Sequence, residues 1–221
     1  MPFNVTKCHA MAFNSRAVLP SYRLGTTNVL WVEETRYLGV TLQQNLKFDK
    51  HISEKVDKAS GILGTIKHTI RTAPEKSKLL AYTSLCRPIM EYADTLWDPT
   101  DKRCVDSLEK IQSKAVRFIR NLKGRESVTE AKTLLGLVPL ADRRKNHRVS
   151  LLMRILQDDQ HHGTLSSAYD DIVTGRASST MVTRAASRGE LISIGSSTKH
   201  HGSFLPWTIR DMKYKPAICC K

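Results

Sequence analysis

No stretch of this chain holds the roughly 18 consecutive apolar residues that a membrane-spanning helix needs; its apolar runs are a few residues long. The first seven residues, Met1-Pro2-Phe3-Asn4-Val5-Thr6-Lys7, lack the unbroken apolar core of a secretory signal. Cysteine is sparse. The 5 present (Cys8, Cys86, Cys104, Cys219, Cys220) are odd in number and scattered, unlike a disulfide framework. These absences point to reduced thiols and an intracellular protein, nuclear or cytoplasmic, with no membrane partner. Acidic residues are also few, 21 against 35 Lys and Arg, for a net charge of +14.

What is present describes a globular chain. With 221 residues, 40% apolar and 25% charged, it can bury a core and is neither wholly disordered nor collagen-like. The charge is uneven. Residues 111–221 carry 19 Lys and Arg against 9 Asp and Glu, whereas residues 1–110 carry 16 against 12. Such an excess suits a polyanionic partner, nucleic acid before a membrane surface.

Residues 1–45 read as strand and turn. Val5–Phe13 is a short mixed run, and Asn14-Ser15-Arg16 reads as a turn. Val29–Val32 is β-prone, Glu33-Glu34-Thr35 could turn the chain, and Arg36–Leu42 resumes β-type residues. From residue 50 the period becomes helical. Ile52, Val56, Ala59, Leu63, Ile66 and Ile70 recur every three or four residues, predicting a helix of about twenty residues. Gly61 and Gly64 within it would permit close packing. A second pattern runs from Glu75 to Trp97, with a kink or break expected near Arg87 because Pro88 follows. A third holds Val105, Leu108, Ile111, Ala115 and Ile119, with Asp101 as candidate cap. Ser127-Val128-Thr129-Glu130 is a capping box. Pro139 suits the entry to a last, basic helix over Leu140–Leu156. The expected organisation is a β element over 1–45, a helical domain over 46–157 and a loosely structured basic tail over 158–221. The expected fold class is mainly α.

Chemical constellations are few. Tyr92-Ala93-Asp94 resembles the start of the YADD box of reverse transcriptases, in which paired aspartates hold metal ions. Here Thr95 follows, no second Asp is adjacent and the period is helical, so the segment reads as packing Tyr92, Ala93 and Trp97. His161-His162, His200-His201 and Cys219-Cys220 are adjacent pairs, which do not match zinc-ligand spacing. No nucleophile elbow, phosphate loop or dinucleotide fingerprint is present. No catalytic and no metal-binding residue is assigned.

The basic helices are the informative feature. Lys55, Lys58, Lys67 and Arg71 lie off the apolar stripe of the first helix. Lys110, Lys114, Arg117 and Arg120 recur on the third, and Arg143, Arg144, Lys145 and Arg148 cluster on the last. A solvated face usually mixes charge signs to gain i,i+4 pairs. Here acidic partners thin out, which favours phosphate contact.

Asn4–Phe13, Tyr37–Val40, Leu46–Ile52, Arg87–Pro99, Leu108–Gln112 and Leu140–Arg144, in that order, resemble the C-terminal part of jockey- and CR1-like non-LTR retrotransposon reverse transcriptases. Asn4–Phe13 is similar to the stretch that follows the YADD box in that family, and Tyr37-Leu38-Gly39-Val40 to its primer-grip strand. Leu46–Ile52, Lys58-Ala59 and Leu63-Gly64 resemble the segments after it. Arg87-Pro88-Ile89-Met90-Glu91-Tyr92-Ala93 through Trp97-Asp98-Pro99 resembles the most specific signature. Leu108–Gln112 with Ala115, Arg117 and Phe118, and then Leu140–Arg144, continue the match. Ser203–Asp211 resembles a terminal segment, but Met212-Lys213 stands where the family has Trp-Asn, which implies a truncated or frameshifted end.

The resemblance implies a helical thumb and post-thumb region, beginning downstream of both carboxylate motifs of the palm. It carries no catalytic residue onto this chain. The magnesium of the parent enzyme and its fingers and palm would lie elsewhere. What it implies is sequence-independent binding of an RNA/DNA template–primer duplex, with Tyr37, Leu38 and Gly39 near the primer end. The other reading open at this point is a non-catalytic helical protein-interaction module derived from a decayed mobile element.

Overall fold

The computed structural model describes residues 4, 7–13, 20–124 and 126–157. The tail expected over 158–221, with its His and Cys pairs and the Ser203–Asp211 segment, lies outside them, as does the turn expected at Asn14–Arg16. Among the described residues 58% are helical and 11% are in strands, so the fold is mainly α with small N-terminal strands.

The strands come first and are short: β1 (His9–Ala10), β2 (Arg23–Leu24), β3 (Thr27–Asn28), β4 (Leu30–Trp31), β5 (Glu34–Tyr37) and β6 (Val40–Gln43). They form three two-stranded ladders: β1 with β4 in parallel, β2 with β3 and β5 with β6 antiparallel. The helices follow as α1 (Asp49–Thr69), α2 (Glu75–Ala81), α3 (Arg87–Glu91), α4 (Asp94–Trp97), α5 (Lys102–Ile119), α6 (Val128–Leu134) and α7 (Leu140–Gln157). A π-helical turn at Tyr82–Cys86 joins α2 to α3. Pro88 has no N–H to give the preceding turn, and the register changes immediately before it.

The chain divides into two compact units, Met1–Ala93 with Asp101–Leu135, and Asp94–Thr100 with Gly136–Lys221. The N-terminal strands therefore share a unit with α1 to α3, α5 and α6. The helical stretch expected as one domain over 46–157 is divided between the two.

In the first unit the periodicity of α1 has a plain cause. Ile52, Ala59, Leu63 and Ile66 are buried on one stripe, and α1 packs on α5, α3, the π-helical turn and β6. Gly61 and Gly64 do not make the close approach expected of them, because a Cβ at either would meet open space. Ala59, fully buried, does. Its carbonyl accepts from the Cys86 thiol at 3.4 Å, and burial pushes that thiol up to about 11, so it is inert at neutral pH. On α5, Leu108, Ile111, Ala115, Val116 and Ile119 fill the facing layer. Gln112 is fully buried among them and accepts from the Tyr82 hydroxyl at 3.0 Å. The buried Lys78 donates to Asn121 at 3.1 Å and stands over the Phe118 ring at 4.9 Å, a cation–π contact beside the C-terminal end of α5. Asp101 caps α5 through Arg103 N–H at 2.9 Å, and Ser127 caps α6 through Glu130 N–H at 3.3 Å.

In the second unit α4 packs against α7. Trp97, Leu140, Val149 and Leu152 are buried, and so are the charged groups Asp94, Arg144 and Arg148.

Candidate nucleic-acid interface

The sequence-expected cations fall into three groups. On α5, Lys110, Lys114 and Arg117 are all exposed. Their spacings of four and three residues place them on one face. That face is opposite the buried Leu108–Ile111–Ala115 stripe. Among the described residues no carboxylate pairs with any of the three; Arg117 donates instead to the Gly124 carbonyl at 3.3 Å. Arg120 differs, because it is held by Glu75 at 2.9 Å in a half-exposed pair.

The cations of α1 do not all share a face, although Lys55 and Lys58, three residues apart, are neighbours on it. Lys58 and Lys67 are nine residues apart, about two and a half turns, so they point to opposite sides. Lys67 is half-buried, and Arg71 is exposed beyond the end of α1.

The cluster on α7 requires a correction. Arg144 and Arg148 are 1% and 2% exposed, and both donate to Asp98, through Nε and Nη1 at 2.6 Å each. A guanidinium sealed against a carboxylate cannot also reach a phosphate in solvent. Both arginines belong to the packing of the second unit. Arg143 and Lys145 beside them are half-buried. Next to this network, Asp94 is buried and lies 2.6 Å from His147 Nδ1. The aspartate that follows Tyr-Ala is thus a structural partner of α7.

The hairpin β5–β6 supplies a second candidate surface. Arg36 pairs with Thr41 and Tyr37 with Val40, leaving Leu38 and Gly39 as a two-residue turn. Both have positive φ, +46° and +81°, the conformation whose twist suits a tight hairpin. This corrects the expectation of a turn at Glu33–Thr35 and a continuous strand through Leu42. Glu34 and Thr35 are themselves in β5. At the tip Tyr37 is 64% and Leu38 74% exposed. The Gly39 carbonyl accepts from Lys55 Nζ at 3.3 Å, and the Leu38 carbonyl from the Tyr92 hydroxyl at 2.8 Å. Lys55 Nζ also lies 5.2 Å from the centre of the Tyr92 ring.

The structure thus brings together Tyr37, Leu38, Gly39 and Lys55, and it adds two residues that sequence reasoning missed. Tyr92 was expected to pack inside a helix. It is instead half-exposed, at a break where its backbone is extended and Ala93 has φ +54°. No local pattern reveals a contact spanning 54 residues. Arg36 is exposed next to Tyr37. Burial first, and then the charges of Arg36 and Lys58, push the Lys55 pKa below its ordinary value. Glu54, which accepts from the Thr41 hydroxyl, opposes that depression. Only the place of Arg36 next to Tyr37 in the chain would have hinted at it.

Gly39 is required in this arrangement. A Cβ there would lie 3.3 Å from Tyr92 Cε1, on a backbone at φ +81°. Gly39→Ala is expected to destabilise the first unit by about 1–2 kcal/mol, read as a lower urea midpoint. An unchanged midpoint would mean that the tip is not held as described.

Comparison with protein-family models, curated proteins and solved structures finds no match. Among the described residues no helix is long and apolar enough to cross a membrane, and no group of three or more His, Cys, Asp or Glu side chains is placed to hold a metal ion.

Proposed function

We propose that this chain binds the sugar–phosphate backbone of an RNA/DNA duplex without regard to sequence, as the thumb region of a non-LTR retrotransposon reverse transcriptase. The observation that carries the reading is the face of α5. Lys110, Lys114 and Arg117 project from it away from the core, with no carboxylate partner among the described residues. Cations so disposed gain by displacing the counterions condensed on phosphates. Contacts of such cations to phosphate oxygens position a duplex without reading its sequence. The reading assigns duplex binding to this chain and no nucleotide transfer, since the resemblance brings no catalytic carboxylate with it.

The test is fluorescence anisotropy of a labelled RNA–DNA duplex titrated with the full chain at several salt concentrations. The wild type is expected to bind at low salt and weaken steeply as salt rises. The variant Lys110→Gln/Lys114→Gln/Arg117→Gln is expected to bind about tenfold or more weakly, with a salt slope shallower by about 3. Absence of binding at low salt, or an unchanged slope in the variant, refutes the reading.

A helical protein-interaction module is the second reading. It is favoured by Leu80 and Leu85, which are 66% and 57% exposed on one helical run. Self-association on gel filtration, together with no retention of the duplex, would select it.

A further inference from the structure

We infer that Tyr92 is a positioning residue, which together with Lys55 holds the Leu38-Gly39 turn in its left-handed form so that Leu38 and Tyr37 are presented to the bound nucleic acid. The inference rests on the proposed duplex binding and adds the device that shapes one contact.

The argument starts from Leu38. A leucine is a poor choice for a left-handed turn position, where Asn, Asp or Gly is favoured. It is also a poor choice for a site 74% open to water. Neither the turn nor the core gains from it, so its presence points to a contact outside the unit. A strained turn persists only where its surroundings over-determine it, and the surroundings here do so at three points. The Tyr92 hydroxyl donates to the Leu38 carbonyl at 2.8 Å. The Lys55 ammonium donates to the Gly39 carbonyl at 3.3 Å. The Tyr92 ring lies over Gly39, where an added Cβ would come within 3.3 Å of Cε1 and would fit only if the ring gave way by a few tenths of an ångström.

Both carbonyls of the turn are thus held from the helical body of the first unit. Lys55 comes from the second turn of α1 and Tyr92 from the residue after α3. Tyr92 can take this role because the helix breaks there; inside a continuous helix its side chain would follow the packing stripe. With the main chain of the turn held inward, the side chains of Tyr37 and Leu38 are left on the outside. Arg36 is exposed beside them, so the tip offers an apolar and aromatic surface with a cation next to it. That combination fits a sugar or an unstacked base flanked by phosphates.

The experiment is a double-mutant cycle on the full chain with Tyr92→Phe and Leu38→Asn, read by amide exchange at Gly39 and Val40 and by anisotropy with the labelled RNA–DNA duplex. Tyr92→Phe keeps the ring and removes one hydrogen bond. It is expected to speed exchange at the tip and weaken duplex binding by about fivefold each, the worth of one neutral hydrogen bond, with the salt slope unchanged and the urea midpoint lowered by no more than that one bond accounts for. Leu38→Asn is expected to weaken binding while making the turn more favourable. In that background Tyr92→Phe should speed exchange less than about twofold, because asparagine adopts the left-handed form on its own. Tyr92→Phe with wild-type exchange and affinity, or with the same effect in both backgrounds, overturns the inference. A wild type that binds no duplex refutes the proposed function and the presentation of Leu38 with it. The exchange cycle would then still decide whether Tyr92 holds the turn.

Discussion

Replacing Asp98 by alanine is expected to destabilise the second unit by about 3–5 kcal/mol, the largest effect of any single substitution considered. Asp98 accepts from Arg144 Nε and Arg148 Nη1 at 2.6 Å each, and its own side chain is 7% exposed. Two guanidinium groups that are 1% and 2% exposed would lose their neutralising carboxylate and could not recover water without opening α7 away from α4. The loss is a large share of the about 5–15 kcal/mol by which ordinary domains are stable. Denaturant unfolding followed by Trp97 fluorescence would measure it. The triple variant Asp98→Leu/Arg144→Met/Arg148→Leu is expected to recover most of the loss, because a well-packed apolar replacement avoids burying charge at all. A loss under about 1 kcal/mol for Asp98→Ala would mean that the arginines reach solvent readily. They would then return to the set of candidate phosphate contacts.

The second large effect concerns pH. His51 is fully buried, and its Nδ1 accepts from the Thr41 backbone N–H at 3.1 Å. A protonated ring could not accept that bond. Burial first, and then the positive charge of Lys55, hold its pKa at about 4 against the ordinary 6.5, with Arg36 adding to the depression and Glu54 opposing it. The unfolded chain therefore binds a proton at His51 over a range where the folded chain does not. The stability this group contributes is complete above pH 6.5 and is lost as the pH falls toward about 4. At about 1.4 kcal/mol per unit the loss amounts to roughly 3 kcal/mol. Urea midpoints measured across that range should fall steeply for the wild type. His51→Gln keeps an acceptor and does not titrate, so its curve should be flatter even if its stability at neutral pH is lower. Parallel curves for the two proteins would show that His51 is not the group responsible.

Much of the architecture was legible in the sequence. The three-and-four spacing of Ile52, Ala59, Leu63 and Ile66 marks α1, and Leu108, Ile111, Ala115 and Ile119 mark α5. A helix buries one stripe, and that requirement writes itself into the period. Asp101 and Ser127 could be named as caps because capping is a local bond. The same periodicity, applied to α7, carries a warning about its cations. Leu140, Arg144, Arg148 and Leu152 recur every fourth residue, and all four are buried. Arg144 and Arg148 stand on the apolar stripe, while Lys110, Lys114 and Arg117 stand off theirs. Cation count alone treats the two helices as equals; phase separates them.

The hairpin turn was harder to see. Leu38 is unfavourable in the left-handed region, so propensity argues against a turn there, and only Gly39 argues for one. The acidic pair Glu33-Glu34 then draws the expectation to the wrong place. What overrides local preference is the grip of Tyr92 and Lys55 on the two turn carbonyls, and neither is near the turn in the chain.

From its residues alone this protein is a mainly helical chain with amphipathic α1 and α5, capped α5 and α6, and an excess of positive charge, because each of these depends on spacing or on neighbours within a few residues. Tertiary structure alone decides which cations face water and which are sealed against Asp98, and that Tyr92 closes on a turn 54 residues away. Those outcomes depend on which distant groups packing brings within bonding distance, and burial, unlike period, is a property of the assembled unit.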